Sequence, residues 1–413
     1  MEASFHTIMR PGGASDAVDG VVPRQVVEPE SNADLAAALA AASRDRLTTV
    51  LRGGGTKLDW GRQPLAIDLA IATTRLNTLI VHRHGDLTAT AHAGVTLATL
   101  NQELARYGQW LPIDSAFDGA TIGGILASGD AGPLRHRYGT PRDLLIGVNL
   151  AMTDGRVVKA GGHVVKNVAG YDLGKLICGS FGSLAAIAEA TFKLLPIPKA
   201  SATLVASYDD AEQLGRAAQA IMASQVEPIA FDVRIASGGG DAARQSSLLL
   251  VRIASSPSAV EAQIESAQRL LSGRARLVRD EAERSVWNEQ VRDPWAEAGA
   301  VVRVGWLPAK LSEVVGLVDE VQKMAAGRVA MWGRAGAGAG LITIDGDALT
   351  QAAVVRRLRS SVFVGNVAVL RASRQLKSQI DVWSLSGGTL KTLHALKQTF
   401  DPAGILNAGR GPI

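Results

Sequence analysis

The stretch Arg52-Gly53-Gly54-Gly55-Thr56-Lys57 decides how the rest of this 413-residue chain is read. It follows the β-prone run Thr48-Thr49-Val50-Leu51, so three glycines stand at the end of a strand. Clustered backbone N–H groups hold a diphosphate well, and glycine lets the backbone come close to it. Taken alone, such a run is more often only a tight turn. A Rossmann dinucleotide turn needs G-x-G-x-x-G opening a helix. Here the glycines lead into Thr56-Lys57-Leu58-Asp59-Trp60-Gly61, which has no helical spacing, so a Rossmann unit is not expected.

Working outward, Ser31-Asn32-Ala33-Asp34 ahead of an Ala/Leu-rich stretch predicts a capped helix. With the strand before the glycines and Leu65–Leu69 after them, this outlines a small α/β unit. Residues 1–20, rich in Gly, Ala and Asp, are expected to be a disordered tail, with order starting at Val21-Val22-Pro23. Leu87–Ala93 alternates as a strand, and Val95–Tyr107 has helical spacing. Residues 111–140 are crowded with Gly, Ser, Asp and Pro and are expected to be mostly loop. Leu144–Met152, the turn Asp154-Gly155 and Val157–Lys159 predict a hairpin. Another strand, Leu184–Leu195, ends at Pro196-Ile197-Pro198, which marks a domain boundary.

Beyond the prolines, β-prone runs alternate with helix-like ones. This predicts an α+β domain, an antiparallel sheet with helices on one face. The strands are Ala202–Ser207, Ala230–Arg234, Leu248–Ile253, Val301–Trp306, Leu341–Ile344 and Val362–Leu370. The run Gly333–Gly340 reads as a hairpin loop or a seam between domains. A last helix, Thr389–Phe400, precedes the tail. The division expected is 1–20, 21–199, 200–390 and 391–413.

Composition narrows the function. Hydrophobic residues are 47% and charged ones 20%, as in an ordinary globular protein. A formal charge of +4 without a dense Lys/Arg run gives no argument for nucleic acid. Cys178 is the only cysteine, which excludes a disulfide, an iron–sulfur cluster or a Cys-ligated zinc within the chain. No secretory signal and no apolar run near the roughly 20 residues needed to span a bilayer are visible. A cytoplasmic location is expected, with any membrane association arising through partners.

Four further segments follow the glycine loop in order: Asp118–Gly124, Ala127–Pro133, Val165–Leu173 and Cys178–Leu184. Together they resemble the FAD domain of the vanillyl-alcohol oxidase/p-cresol methylhydroxylase (PCMH-type) flavoproteins over about residues 20–200. The tail, Phe400-Asp401-Pro402 and Ile405–Arg410, is similar to that family's closing segment. Lys166–Asp172 and Trp332-Gly333 resemble, more narrowly, the FAD-binding subunits of bacterial glycolate oxidases, which act beside a second flavoprotein subunit and an iron–sulfur subunit.

The resemblance implies a two-subdomain FAD-binding domain with a ferredoxin-like antiparallel-sheet cap domain over the flavin. By position it puts Arg52, Gly53, Gly54, Gly55, Thr56 and Lys57 at the pyrophosphate. Gly119, Ala120, Thr121, Gly123, Gly124 and Gly129 then line the path to the flavin and ribityl chain. Lys166 and Gly170 belong to the third segment. Gly179, Ser180, Gly182 and Ile187 lie near the diphosphate or adenine, and Asn407 reaches the flavin edge. The alternative reading of each glycine is a tight turn, that of Ile187 is core packing, and that of Asp172 is a brace for the loop of Tyr171. Lys166, Arg135 and Arg137 are candidates for a positive charge near flavin N1, or solvated surface charges. Covalent members carry a histidine where this chain has Thr56, so dissociable, non-covalent FAD is expected.

Family dehydrogenases of 2-hydroxy acids place paired histidines and an acid in the cap, with an arginine on the carboxylate. None of the seven histidines here falls between residues 164 and 393. His82 and His84 read as a surface hairpin before they read as a metal site. The weak catalytic candidates are Arg303, which points at the flavin or pairs with an acid, and Tyr171. No metal is expected. Two readings follow: an FAD-carrying subunit of a glycolate oxidase complex, or a stand-alone FAD oxidoreductase of a small acid or alcohol. A structural subunit without flavin is opposed by the intact glycine set.

Overall fold

A computed structural model of the chain describes residues 8–162, 171–236, 246–272, 275–296, 299–325 and 327–412. The chain divides into two units. One takes Met1–Ala131, Gly139–Ile197 and Leu385–Ile413, the other Gly132–Tyr138 and Pro198–Ser384.

The first unit holds two main sheets and a two-stranded ribbon in which Leu195–Pro196 pairs with Gln109–Trp110. In the first, β1 (Ile8–Pro11), β2 (Gln25–Glu28), β3 (Thr49–Arg52) and β4 (Leu69–Ala72) run in the order β1-β2-β4-β3. Strands β2 and β3 both pair parallel to β4. Helix α1 (Asn32–Arg44) supplies the crossover, its N-cap Ser31 accepting from the Asp34 amide. Leu35, Ala36, Leu39 and Ala42 recur at helical spacing and are buried against Val27 and Ile71. The second sheet is antiparallel. It has the order β5-β6-β9-β7-β8, from β5 (Leu79–Arg83), β6 (Thr88–His92), β7 (Leu145–Ala151), β8 (Val157–Gly161) and β9 (Ala186–Lys193). The expected hairpin is β7–β8.

One expectation for this unit fails. Residues 8–20 are not a disordered tail: β1 pairs antiparallel with β2. Arg10 and Arg52 both bond Asp16, which is buried, so a charge cluster rather than an apolar stripe orders the segment. Residues 111–140 are mostly loop and turn, as expected, but they also hold a helix that the sequence did not announce. Helix α2 (Ile122–Ser128) is capped by Thr121 and buries Ile122, Ile125 and Leu126. Its glycines disguised it, yet they are there for packing: a Cβ on Gly123 would lie 2.8 Å from the Ala93 Cβ.

The second unit is one eight-stranded antiparallel sheet. Its strands are β10 (Ala200–Tyr208), β11 (Ala230–Ala236), β12 (Ser246–Ser255), β13 (Ala275–Val278), β14 (Ala300–Trp306), β15 (Val329–Arg334), β16 (Ala339–Ile344) and β17 (Val364–Arg371). The order is β13-β10-β12-β11-β15-β16-β14-β17. The expected helices are present at Ala211–Met222, Pro257–Leu270, Leu311–Met324 and Ala348–Ser360. Helix Asp280–Ala296 was missed because its buried stripe is partly polar, with Glu283 and Gln290 beside Trp287. Glu283 accepts from Thr203 and Arg252, and Gln290 donates to Asp232. The glycine run 333–340 spans the β15–β16 hairpin, with the turn at residues 335–338.

A short piece of the first half belongs to this second unit. In the helix Arg135–Tyr138, the His136 ring meets Phe231 edge-on at 5.8 Å, and Arg137 pairs with Glu227 at 2.8 Å.

Candidate functional site

Strand β3 ends at the glycine loop, whose residues Gly53–Leu58 form one wall of a cavity of about 510 Å³. Thr121, Gly124, Ala127, Phe181, Asn407 and Arg410 are among the residues opposite. A second cavity of about 460 Å³ shares Gly53, Gly124, Ala127, Phe181 and Asn407 and extends to Ser180, Gly182 and Ile187. Through these shared lining residues the two make one elongated cleft in the first unit.

The glycines of the loop have separate reasons. A Cβ on Gly54 would stand 1.9 Å from the Gly119 carbonyl oxygen, and one on Gly53 2.1 Å from Thr121 Oγ1. These two let the loop press against the segment 119–121. Gly55 has φ +75°, which L side chains rarely adopt. The side chain of Arg52 is taken by Asp16 at 2.7 Å, so it braces the loop's base. Lys57 is buried, 3.0 Å from an Asp130 carboxylate oxygen but without hydrogen-bond alignment. Its ammonium also sits 5.1 Å from the Phe117 ring centre.

The chain's last residues complete the cleft. Thr49 N–H donates to the Ile405 carbonyl and Asn407 N–H to the Thr49 carbonyl, so the tail lies along the free edge of β3. Lys397 Nζ donates to the carbonyls of Ser183 and Leu406 and to Asp401, each at 2.7 Å. The buried Arg410 guanidinium donates to the carbonyls of Leu58 and Trp60, tying the tail to the loop. Burial pushes its pKa down to about 10, so it remains a cation at neutral pH. Arg410 and Phe181 were not singled out in the sequence; a lone arginine in an otherwise apolar closing segment was the available signal.

Most of the sequence-derived residues meet here. Arg52–Lys57, Thr121, Gly123, Gly124, Ser180, Gly182, Ile187 and Asn407 all line the cleft. Gly119, Ala120, Gly129 and Gly179 do not line it and act through their neighbours: Gly119 backs Gly54, and Gly129 packs on Gly179. Ile187 is buried and serves as core and lining together. Lys166 and Gly170 lie outside the described residues. Tyr171 is 92% exposed and lines neither cavity. Asp172 caps the helix Leu173–Ile177 by accepting from the Lys175 amide. Asn407 shares its wall with Ser180–Gly182, where the sequence reading had placed it at the flavin edge and them near the diphosphate or adenine.

The cleft suits a dinucleotide. Ser180 Oγ and Asn407 Oδ1 are buried polar atoms with no protein partner, and such atoms are costly unless a ligand satisfies them.

In the second unit, register aligns Arg303 with Leu341 on β16 and Trp332 on β15, so all three side chains share one sheet face. Burial lowers the Arg303 pKa, and the nearby positive charge of Arg135 lowers it further. No ion pair joins Arg303 to an acid among the described residues. The buried indole N–H of Trp332 also lacks a partner. The sequence reading left this unit without a histidine, and that is corrected by His136. Its ring fills the space a Cβ on Gly336 would need, 2.4 Å from Cε1. Burial, then Arg137, holds His136 below the usual imidazole pKa. His84 stacks on Tyr107 at 5.1 Å and His82 bonds Gln109 at 2.9 Å. Among the described residues, no three His, Cys, Asp or Glu side chains gather as metal ligands.

Comparison with known proteins agrees with this geometry. Residues 23–161 match the FAD binding domain family, and residues 377–410 match the C-terminal domain of FAD linked oxidases. The chain is 31% identical over 212 residues to glycolate oxidase subunit GlcD of Bacillus subtilis, covering 51% of this chain and 45% of that one. It is 36% identical over 165 residues to glycolate oxidase subunit GlcE of Escherichia coli (40% and 47%). To a D-lactate dehydrogenase of Archaeoglobus fulgidus it is 34% identical over 171 residues (41% and 38%). It thus spans less than half the length of these relatives. The fold also matches alkyldihydroxyacetonephosphate synthase with a TM-score of 0.67 at 18% identity, over 94% of this chain and 77% of that one. Residues 23–161 therefore carry an FAD binding domain and residues 377–410 match the C-terminal domain of FAD linked oxidases, so the cofactor is FAD.

Proposed function

We propose that this chain is an FAD-dependent oxidoreductase of a small 2-hydroxy acid, working as the FAD-carrying subunit of a glycolate oxidase assembly. A second flavoprotein subunit and an iron–sulfur subunit complete that assembly. The names of the relatives support the substrate class and the subunit role. The single observation that carries the reading is Arg303: a half-buried guanidinium beside a second cation, in a chain that also builds an FAD cleft.

Bound FAD supplies a two-electron acceptor. The loop Gly53–Thr56 holds its diphosphate through backbone N–H groups, and Thr56, unlike histidine, leaves the flavin non-covalent. Arg303, with Arg135 raising the local positive potential, binds the acid's carboxylate. No helix among the described residues is long and apolar enough to cross a membrane. The proposal places the chain in the cytoplasm, with membrane contact only through partners.

The stand-alone reading gains one observation, the delivery of His136 to the second unit in its neutral form. Neutral imidazole can accept a hydroxyl proton. The two readings separate in one experiment: the purified chain is mixed with glycolate or lactate and a dye acceptor while its flavin spectrum is followed. Bleaching only after candidate partner subunits are added supports the subunit reading, and bleaching by the isolated chain refutes it. In either case Arg303→Ala is expected to raise KM by ten-fold or more. An unchanged KM would remove Arg303 from the site.

A further inference from the structure

We infer that Asn407 and Ser180 form a hydroxyl-recognising subsite for a sugar of the bound FAD, separate in chemistry from the phosphate-holding loop. The inference rests on the FAD reading and deepens it. Asn407 is 2% exposed and Ser180 8%, and both line the same cavity. The orientation of the Asn407 amide is fixed by its partner: Nδ2 donates to the Phe181 carbonyl, and only an N–H can face a carbonyl oxygen. Its Oδ1 is therefore the atom left over, buried and without a protein partner.

An amide oxygen only accepts, and so do the oxygens of an ionised diphosphate. Asn407 Oδ1 cannot serve the phosphates; it needs a donor. Asn407 lines both cavities together with Gly53, so it stands beside the glycine loop. On FAD, the donors flanking the diphosphate are the hydroxyls of the adenosine ribose and of the ribityl chain. Ser180 Oγ, also unpartnered, can donate and accept, and so completes a hydroxyl's needs.

The surrounding backbone is arranged to hold this pair. Asn407 and Phe181 both have positive φ, 45° and 56°, a conformation asparagine tolerates and phenylalanine rarely adopts. Gly182 has no side chain, and a Cβ there would lie 2.7 Å from Asn407 Nδ2. The room that Gly182 leaves lets the amide lie against Phe181, with its oxygen turned away from that carbonyl.

Ser180→Ala tests this cleanly, because Ser180 Oγ has no protein hydrogen bond to lose. The apo variant is expected to melt with the wild type. Its Kd for FAD, from quenching of flavin fluorescence on titration, is expected to rise about ten-fold, equivalent to about 1.4 kcal/mol. Two analogues identify the sugar: FAD with a dideoxy adenosine ribose, and FAD with a deoxygenated ribityl chain. On the analogue lacking the recognised hydroxyl, wild type loses a similar factor and Ser180→Ala adds nothing further. Unchanged FAD affinity in Ser180→Ala overturns the inference, as does a penalty that persists in full on both analogues. Failure of the wild-type chain to bind FAD would overturn the cofactor reading itself.

Discussion

Lys397→Met removes the clamp that sets the tail into the cleft. Lys397 makes its three bonds from the closing helix Gly387–Phe400, and the Asp401 side chain it neutralises is 0% exposed. Asp401 Oδ2 also accepts from the Leu406 amide, while Oδ1 has no partner. Methionine keeps the length of the stem and abandons a buried carboxylate. Removing one member of a buried pair costs about 3–5 kcal/mol, against about 0–1 kcal/mol for a surface pair. Urea unfolding of the apo chain is expected to show a loss in the upper range. FAD affinity is expected to fall as well, because Leu406 and Asn407 are no longer held along β3. Lys397→Met/Asp401→Asn removes the abandoned charge while leaving an acceptor for Leu406. It is expected to be more stable than Lys397→Met alone. A single-mutant loss below about 1 kcal/mol, or strictly additive effects, would refute this account of the clamp.

Three further outcomes are expected. Gly54→Ala drives a Cβ to 1.9 Å from the Gly119 carbonyl, a backbone atom with nowhere to go, at a cost of about 1–3 kcal/mol or more. FAD titration should show at least ten-fold weaker binding with the circular dichroism of the fold retained. Acid precipitation of the holoprotein should release yellow flavin into the supernatant, and colour left on the pellet would mean a covalent link. Asp16 is held well below the usual carboxylate pKa, chiefly by hydrogen bonds from Arg10. Its folded pKa lies below its unfolded one, so its contribution is fully present above about pH 4 and fades as pH falls below that. Asp16→Asn should lower stability at pH 7 by about 1–3 kcal/mol, because Arg10 stays solvated, and should flatten that acid limb.

The sequence by itself determined the elements whose signal is local. Ser31 before an Ala/Leu stripe set α1, alternation set β6, and the Asp154-Gly155 turn set the β7–β8 hairpin. Five ordered segments, each built around glycine or a tight loop, were enough to mark the FAD domain and to gather most of the cleft residues. Local signals failed where a residue's reason lies in a distant contact. Gly123 concealed a helix because it is needed against Ala93, and the first 20 residues read as a tail because Asp16 is ordered by charges rather than by an apolar face. Helix Asp280–Ala296 was hidden by the buried Glu283 and Gln290, whose partners sit on other elements of the second unit.

Only the tertiary structure decided which side chains keep company. It assigned the segment 132–138 to the second unit and so gave that unit His136 and Arg135, which no spacing along the chain could reveal. It placed Asn407 against Phe181 across more than 200 residues, turning two sequence-distant contacts into one subsite. Composition and period report the free energy of local conformation and of facing a core. The matching of a donor to an acceptor depends on positions that exist only once the chain has closed.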